Sequence, residues 1–129
     1  MALLISRELG EEELLETEIR RVETHALVVL AGEVDVSTVG QLYERLAGLA
    51  HEGVCHVSLN VAEVTFIDST GLSVLVTEHK RMESMKGELI IFRPSYELRR
   101  LFQITGLDDY LNIRPKRALR SMDGCQLPL

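Results

Sequence analysis

A short polar sequence between two apolar stretches contains the residues of this chain best placed to do chemistry. Asp68, Ser69 and Thr70 follow an apolar run that ends at Ile67, and a helical pattern begins directly after Gly71. The first N–H groups of a helix lack partners within the helix, and the helix dipole adds partial positive charge there. A phosphate on Ser69 would therefore be well placed.

The residues alone leave two interpretations of Ser69 open. As a helix N-cap, its hydroxyl would bond the first turn of the helix, a role that Asp68 fills equally well. As a modification site, it would act as a switch. Gly71 permits close packing of the helix against a strand, or an unusual backbone angle. Catalysis by the serine is rejected, because a nucleophilic serine needs a base, and no histidine is positioned by the sequence to serve.

Other patterns for catalysis or ligand binding are missing from the sequence. It contains neither a phosphate-binding loop of the P-loop type nor a dinucleotide-binding glycine fingerprint. The four histidines have no metal-ligand spacing with one another or with the isolated thiols Cys55 and Cys125. We therefore predict no catalytic residues, no metal and no cofactor, and a protein that is not an enzyme.

The composition predicts a single acidic domain. The chain has 129 residues, of which 46% are hydrophobic, and 14 Lys+Arg against 20 Asp+Glu give a net charge of −6. This charge argues against nucleic-acid binding and favours a basic protein partner. The apolar runs are far shorter than the ~20 residues of a membrane span, and no signal peptide is recognised. With two unpaired cysteines, we expect a cytoplasmic protein.

Alternating strands and helices must position the Asp68–Ser69 sequence. Two β-like runs separated by residues 23–25 predict an antiparallel hairpin. Three helical patterns follow, the first starting near Val36 with Asp35 or Ser37 as N-cap, the second over about 70–86 and the third after Ser95. Further strands are predicted at 55–61, 88–92 and 110–113, and a final helix at 115–122.

This order predicts an α/β fold with a mixed sheet of about four or five strands and about four helices. Parallel strands in such a fold are joined by right-handed crossovers, and the carboxyl ends of the strands form the usual functional edge. The Asp68–Ser69 sequence lies on that edge. Residues 1–15 show weak periodicity, and we interpret them as a loosely held extension or a short helix.

Several motifs together resemble the bacterial anti-sigma factor antagonists, which are single STAS domains. The motifs are Gly32-Glu33-Val34-Asp35, Leu59-Asn60, the run from Phe66 to Leu72, Arg99-Arg100-Leu101-Phe102 and Thr105-Gly106-Leu107. The resemblance covers roughly residues 16 to 115 and implies a STAS-like fold. It divides the chain into an N-terminal extension (1–15), a STAS domain (16–122) and a C-terminal tail (123–129).

The resemblance also implies a function for Ser69. In that family the serine after the aspartate is phosphorylated by the cognate anti-sigma factor, which is a serine kinase. The unphosphorylated antagonist binds this partner and frees a sigma factor, and a phosphoserine phosphatase restores the phosphorylated form. Ser69 is then the phosphorylation site, within a partner-binding surface that includes Asp35, Asp68, Thr70 and Gly71. We expect a monomer or weak dimer that contacts no nucleic acid and no membrane.

Two other functions stay open at this point. One is a non-switching STAS scaffold component of a stress-signalling assembly, which would associate through the apolar residues 3–5. The other is a response-regulator receiver domain phosphorylated on Asp68. Glu33 and Asp35 would then supply the acids for Mg²⁺, but no suitable lysine follows the predicted strand at 88–92.

Overall fold

The computed structural model describes residues 4–8 and 15–115 of the chain. Within them, six strands and three helices follow one another along the sequence. The strands are β1 (Leu4–Glu8), β2 (Leu15–Val22), β3 (His25–Val34), β4 (His56–Ile67), β5 (Glu88–Phe92) and β6 (Asn112–Arg114). The helices are α1 (Val39–His51), α2 (Ser69–Ser84) and α3 (Tyr96–Ile104). The predicted α/β class, with a mixed sheet and an antiparallel hairpin near the N-terminus, is confirmed.

All six strands belong to one sheet, in the order in which they occur along the chain. β1, β2 and β3 are antiparallel neighbours, whereas β3, β4, β5 and β6 run parallel to one another. The β2–β3 hairpin turns at Glu23 and Thr24, where Glu23 takes a positive φ of 54°. Since the parallel strands point the same way, the loops that enter α1, α2 and α3 meet at one edge of the sheet.

The core lies between the sheet and the helices. Crossovers between parallel neighbours are right-handed, so the three helices pack on the same face of the sheet. One hydrophobic cluster joins that face to the inward sides of the helices. Its fully buried members include Val28, Leu59, Ile91, Leu46, Leu75 and Phe102.

A cation–π contact links α2 to α1, and an ion pair within α2 holds the arginine that makes it. The Glu78 side chain is fully buried, and its Oε1 lies 3.2 Å from Nε of Arg81. The Arg81 guanidinium lies over the Tyr43 ring of α1, 5.9 Å from the ring centroid. Burial raises the pKa of Glu78 above its ordinary value, and the charge of Arg81 opposes that shift. These contacts help to hold α2, which begins at Ser69, beside α1.

Residues 4–8 differ from the prediction for the N-terminal extension. They form neither a loose segment nor a helix, but β1, which pairs with β2 from Leu4–Arg21 to Glu8–Thr17. Backbone groups along the edge of a sheet need hydrogen-bond partners, and β1 supplies them to β2. Within residues 4–8 and 15–115, the sheet therefore has six strands rather than the predicted four or five.

The described residues contain three helices, where the sequence predicted about four. The fourth, predicted for 115–122, lies outside the described residues except for Pro115, which is not helical. The predicted C-terminal tail, 123–129, also lies outside the described residues. The last predicted strand, at 110–113, is observed as β6 with its start two residues later.

Helix α1 begins later than predicted because a turn precedes it. The N–H groups of Thr38 and Val39 both donate to the carbonyl oxygen of Asp35. Thr38 is therefore the N-cap residue, and the prediction of Asp35 or Ser37 for that position is wrong. The turn brings the side chains of residues 35–38 to the edge of the sheet where β4 ends.

Candidate functional site

Two neighbouring strand ends form the candidate site. β3 ends at Val34 and β4 at Ile67, and these two residues are paired in register. Asp35 and Asp68 follow directly, so they continue from strands that lie about 4.8 Å apart. The N–H of Asp68 donates to the carbonyl oxygen of Val34 over 3.0 Å. This bond fixes the two loops relative to each other.

Asp68 is the N-cap of α2. Its Oδ1 accepts hydrogen bonds from the N–H of Thr70 at 3.0 Å and of Gly71 at 3.2 Å, and from the Thr70 hydroxyl. The hydrogen bond from the Thr70 side chain lowers the pKa of Asp68 the most. Hydrogen bonds from the N–H groups of Gly71, Thr70 and Val36 also lower it. Desolvation opposes them. Asp68 is therefore ionised at neutral pH.

Asp35 organises the neighbouring turn in a similar way. Its Oδ1 accepts from the N–H of Ser37 at 2.9 Å and from the Ser37 hydroxyl at 2.7 Å. These bonds from Ser37 hold the pKa of Asp35 below its ordinary value. The buried Thr38 hydroxyl donates to the carbonyl oxygen of Glu33 over 2.7 Å and accepts from the N–H of Asp35 at 3.0 Å. A second ionised carboxylate is thus held at the same edge.

Ser69 is the first residue of α2, and its side chain is exposed. Within the described part of the chain, its hydroxyl makes no hydrogen bond. Its carbonyl oxygen accepts a bond from the Ser73 hydroxyl at 3.0 Å. The N-cap interpretation of Ser69 is therefore wrong, since Asp68 holds that position. The Ser69 hydroxyl is accessible to another molecule.

Thr70 and Gly71 hold the loop in place. Thr70 is half-buried, with its hydroxyl bonded to Asp68. Gly71 is buried, and a Cβ at this position would lie 2.7 Å from Cγ1 of Val34 and 2.9 Å from Cγ2 of Ile67. Close packing of α2 on the strand ends therefore explains the glycine. A direct contact of Thr70 or Gly71 with a partner stays a prediction.

Two exposed apolar side chains beside the site were not identified from the sequence. Val36 is 76% exposed and Phe66 is 49% exposed. The β3–β4 register shifts by one residue between the Gly32–Val64 pair and the Glu33–Phe66 pair. A bulge of this kind re-aims side chains, so strand alternation alone does not place Phe66 on the surface. The exposure of Val36 follows from the turn before α1.

The site offers an accessible hydroxyl at the same edge of the sheet as two ionised carboxylates, with exposed apolar side chains beside it. Exposed apolar groups of this kind are suited to contact with another protein. The described ranges, 4–8 and 15–115, contain no group of His, Cys, Asp and Glu side chains arranged to hold a metal ion. No helix in that part of the chain is long and apolar enough to cross a membrane.

Comparison with known proteins points to one family. The family model of the STAS domain matches residues 16–119. An anti-sigma-B factor antagonist of Staphylococcus epidermidis is 40% identical over 86 residues, which are 67% of this chain and 80% of that protein. The anti-sigma-B factor antagonist of Bacillus subtilis (strain 168) is 35% identical over 102 residues, 79% of this chain and 93% of that protein. The crystal structure of an anti-sigma factor antagonist from Mycobacterium paratuberculosis shares the fold, with a TM-score of 0.72, 20% identity and coverage of 84% of this chain and 92% of that one.

Proposed function

The chain belongs to the STAS domain family, and we propose that it is an anti-sigma factor antagonist switched by phosphorylation of Ser69. Unphosphorylated, it binds a cognate anti-sigma factor, a serine kinase, and so frees a sigma factor. Phosphorylation by that kinase ends the binding, and a phosphoserine phosphatase reverses it. The named relatives support the antagonist role. The proposal of a switch depends on one observation, the exposed hydroxyl of Ser69, which makes no hydrogen bond to any described residue.

The charges around Ser69 support release by phosphate. A phosphoserine adds about −1.5 to −2 charges at neutral pH. Because hydrogen bonds lower the pKa of both Asp35 and Asp68, these carboxylates are already ionised when the phosphate arrives. In the free protein, water and the N-terminus of α2 tolerate the added charge. In a docked complex it would be desolvated close to two like charges, and ~1.4 kcal/mol of such repulsion weakens binding tenfold.

Val36 and Phe66 supply the apolar part of the proposed interface. Interfaces bury apolar and aromatic side chains at their centre and leave charged groups at the rim. Both side chains are exposed in the free protein and lie beside the Asp35–Asp68 edge. A partner that covers them would also cover the Ser69 hydroxyl. The unphosphorylated protein can be covered in this way, whereas the charge of a phosphate on Ser69 opposes it.

We propose that this protein is the substrate of the switch rather than its enzyme. The kinase supplies the base, the metal ion and the nucleotide, and both proteins act in the cytoplasm. Ser69 is the acceptor in preference to Thr70, because the Thr70 hydroxyl already donates to Asp68. The hydrogen bond between Thr70 and Asp68 is also one of the contacts by which Asp68 caps α2.

Phosphorylation in vitro tests this proposal. The purified chain is incubated with ATP and the serine kinase anti-sigma factor of the same bacterium, and mass spectrometry locates the phosphate. We expect one phosphate on Ser69, none on Ser69→Ala, and phosphate still on Ser69 in Thr70→Val. A phosphate on Asp68, recognised by its lability in acid, would support a receiver domain instead. Absence of any phosphate, with a kinase shown to be active, would support the non-switching scaffold.

A further inference from the structure

The face of the sheet that points away from the helices contains buried side chains. In β5, Leu89 and Ile91 belong to the hydrophobic cluster under the helices, whereas Ile90 and Phe92 do not. Successive side chains of a strand point to opposite faces, so Ile90 and Phe92 lie on the other face, which we call the outer face. Ser58 of β4, which is paired in register with Ile90, lies there too. Ile90 is nevertheless 0% exposed, Ser58 1% and Phe92 6%.

Burial of the outer face increases across the sheet from β2 to β5. On β2, the outer residues Glu16 and Arg20 are exposed, and on β3, Leu27 and Val29 are half-buried, whereas Ile90 on β5 is fully buried. A face open to water would be most exposed near its edges, and β5 has only β6, a strand of three residues, beyond it in the described sheet. A further group therefore covers the outer face over β4 and β5.

The three described helices do not provide this cover. Each of them contributes buried residues to the cluster on the opposite face, such as Leu46 from α1, Leu75 from α2 and Phe102 from α3. The hydroxyl of Ser58 is buried and has no hydrogen-bond partner among the residues that the structure describes. On an open face that hydroxyl would bond to water. The covering group therefore excludes water from the outer face.

Three segments of the chain lie outside the described residues, and the lengths of the first two are too short to reach β5. Residues 1–3 precede β1, which lies four strand spacings, about 19 Å, from β5, and three residues span at most about 11 Å. Residues 9–14 are held at both ends by Glu8 and Leu15. A six-residue loop that must return reaches at most about 12 Å, whereas β5 lies about 14 Å from β2. This comparison leaves residues 116–129.

Residues 116–129 start beside the buried part of the outer face. β6 ends at Arg114, which is paired in register with Phe92. The segment has 14 residues and would be about 21 Å long as a helix, enough to cross four strands. Its apolar residues include Leu119 and Met122, which are three residues apart and so share one side of the helix predicted after β6. The segment therefore has the position, the length and an apolar side to cover this face.

We propose that the outer face is an intramolecular docking surface, and that residues 116–129 of the same chain cover it through Leu119 and Met122. The contact removes Ile90 and Phe92 from water, which stabilises the fold. It also makes an apolar face of the sheet unavailable to other proteins, including a second copy of this chain. The inference does not depend on the proposed function, because the outer face is separate from the edge of the sheet where the candidate site lies.

Nuclear Overhauser effects in the full chain test this contact directly. In a sample with isotope-labelled methyl groups of Ile, Leu and Met, we expect cross-peaks between Ile90 and Leu119 or Met122. A mixture of labelled and unlabelled copies, filtered for contacts between molecules, should show none of these cross-peaks. Cross-peaks between copies would show that a second copy covers the face and would overturn the inference. Cross-peaks from Ile90 to residues 9–14, or no cross-peak from Ile90 to residues 116–129, would overturn it as well.

Two variants test the same contact by stability. Leu119→Asp and Ser121→Asp each add one carboxylate to the segment, but Ser121 lies about 200° around a helix from Leu119. We expect Leu119→Asp to lower the urea concentration at the unfolding midpoint and to raise at least twofold the fluorescence of ANS, a dye that binds exposed apolar surface. Ser121→Asp should match the wild type, and circular dichroism shows whether each variant is folded. Equal results for the two folded variants would overturn the inference, and if Leu119→Asp does not fold, the cross-peaks of the wild type decide.

Discussion

Asp68 and Ser69 are adjacent in sequence but have separate roles in the structure. Oδ1 of Asp68 accepts three hydrogen bonds from the first turn of α2, whereas the Ser69 hydroxyl accepts and donates none within the described residues. Capping therefore depends on Asp68. Ser69 is left available for a modification that does not remove any contact of the fold.

Substitution at these two positions should separate stability from switching. Asp68→Ala should lower the urea concentration at the unfolding midpoint, because α2 loses its cap, and Asp68→Asn should retain much of that stability. Ser69→Ala should change the free energy of unfolding by no more than about 0.5 kcal/mol, as is usual for exposed positions without contacts. Urea unfolding followed by circular dichroism at pH 7 measures both. Equal destabilisation by the two alanines would show that Ser69 also caps the helix.

At the opposite end of the strands, a stacked histidine pair predicts a pH-dependent stability. The rings of His25 and His56 lie 4.6 Å apart between centroids, at an angle of 11°. Within the described residues, Nε2 of His25 and Nδ1 of His56 are buried without a hydrogen-bond partner. Burial, followed by the charge of His56, lowers the pKa of His25 below its ordinary value of 6.5, with Glu23 opposing.

The sign of the effect follows from the lowered pKa of His25. The folded protein binds fewer protons at this residue than the unfolded chain, so its contribution to stability is complete above pH 6.5 and is lost as the pH falls below that value. We expect the Tm of the wild type to fall between pH 7.5 and 5.5. His25→Phe keeps an aromatic ring beside His56 but cannot titrate, so its Tm should fall less. If the Tm of the two proteins fell equally with pH, His25 would not be the cause of the pH dependence.

At the scale of the elements, the junction of β4 and α2 depends on Gly71. The helix approaches the strand ends so closely that a Cβ on Gly71 would overlap Val34 and Ile67. Gly48, in α1, has open space around its missing Cβ. The two glycines therefore form a matched pair, in which substitution by alanine should change the free energy of unfolding in opposite directions.

Gly71→Ala should lower the free energy of unfolding by about 1–3 kcal/mol, the usual cost of overpacking. Gly48→Ala should raise it by about 0.5–1 kcal/mol, because alanine is the better helix former. Chemical denaturation of both variants beside the wild type gives these values. A stabilised Gly71→Ala protein would mean that α2 lies farther from the strand ends than the structure indicates.

Local patterns were sufficient to predict the β2–β3 hairpin, helix α2 and the position of the Asp68–Ser69 loop. Each depends on contacts within a short stretch of chain, such as strand alternation or a capping aspartate. β1 was not predicted, because residues 1–15 show only weak periodicity and the pairing of β1 with β2 joins residues that lie apart in the sequence. The start of α1 was missed for a related reason, since a turn held by Asp35 and Thr38 precedes it.

The candidate site was predicted in part. Asp68, Ser69 and the nearby Asp35 were all identified from the sequence, and the structure places them at one edge of the sheet. The exposure of Phe66 was not predictable, because it depends on the register of β4 against β3. The prediction of Ser69 as an acceptor rather than a cap came from the resemblance to a known family, and not from the residue pattern alone.

At the scale of the whole molecule, the net charge has the same sign as the charge at the proposed site. The value of −6 predicted a basic partner. The structure places two ionised carboxylates at the Asp35–Asp68 edge, which therefore has the same sign of charge as the whole molecule. A partner that docks over the Ser69 hydroxyl should therefore present basic side chains to this edge, which favours one orientation of docking over others.

We propose that a phosphate on Ser69 releases the anti-sigma factor without refolding this domain. The most direct measurement compares the Kd of the unphosphorylated and the Ser69-phosphorylated protein for the same purified anti-sigma factor, together with the circular dichroism spectra of both forms. We expect at least tenfold weaker binding after phosphorylation and superimposable spectra. A Kd that is unchanged by the phosphate would contradict it.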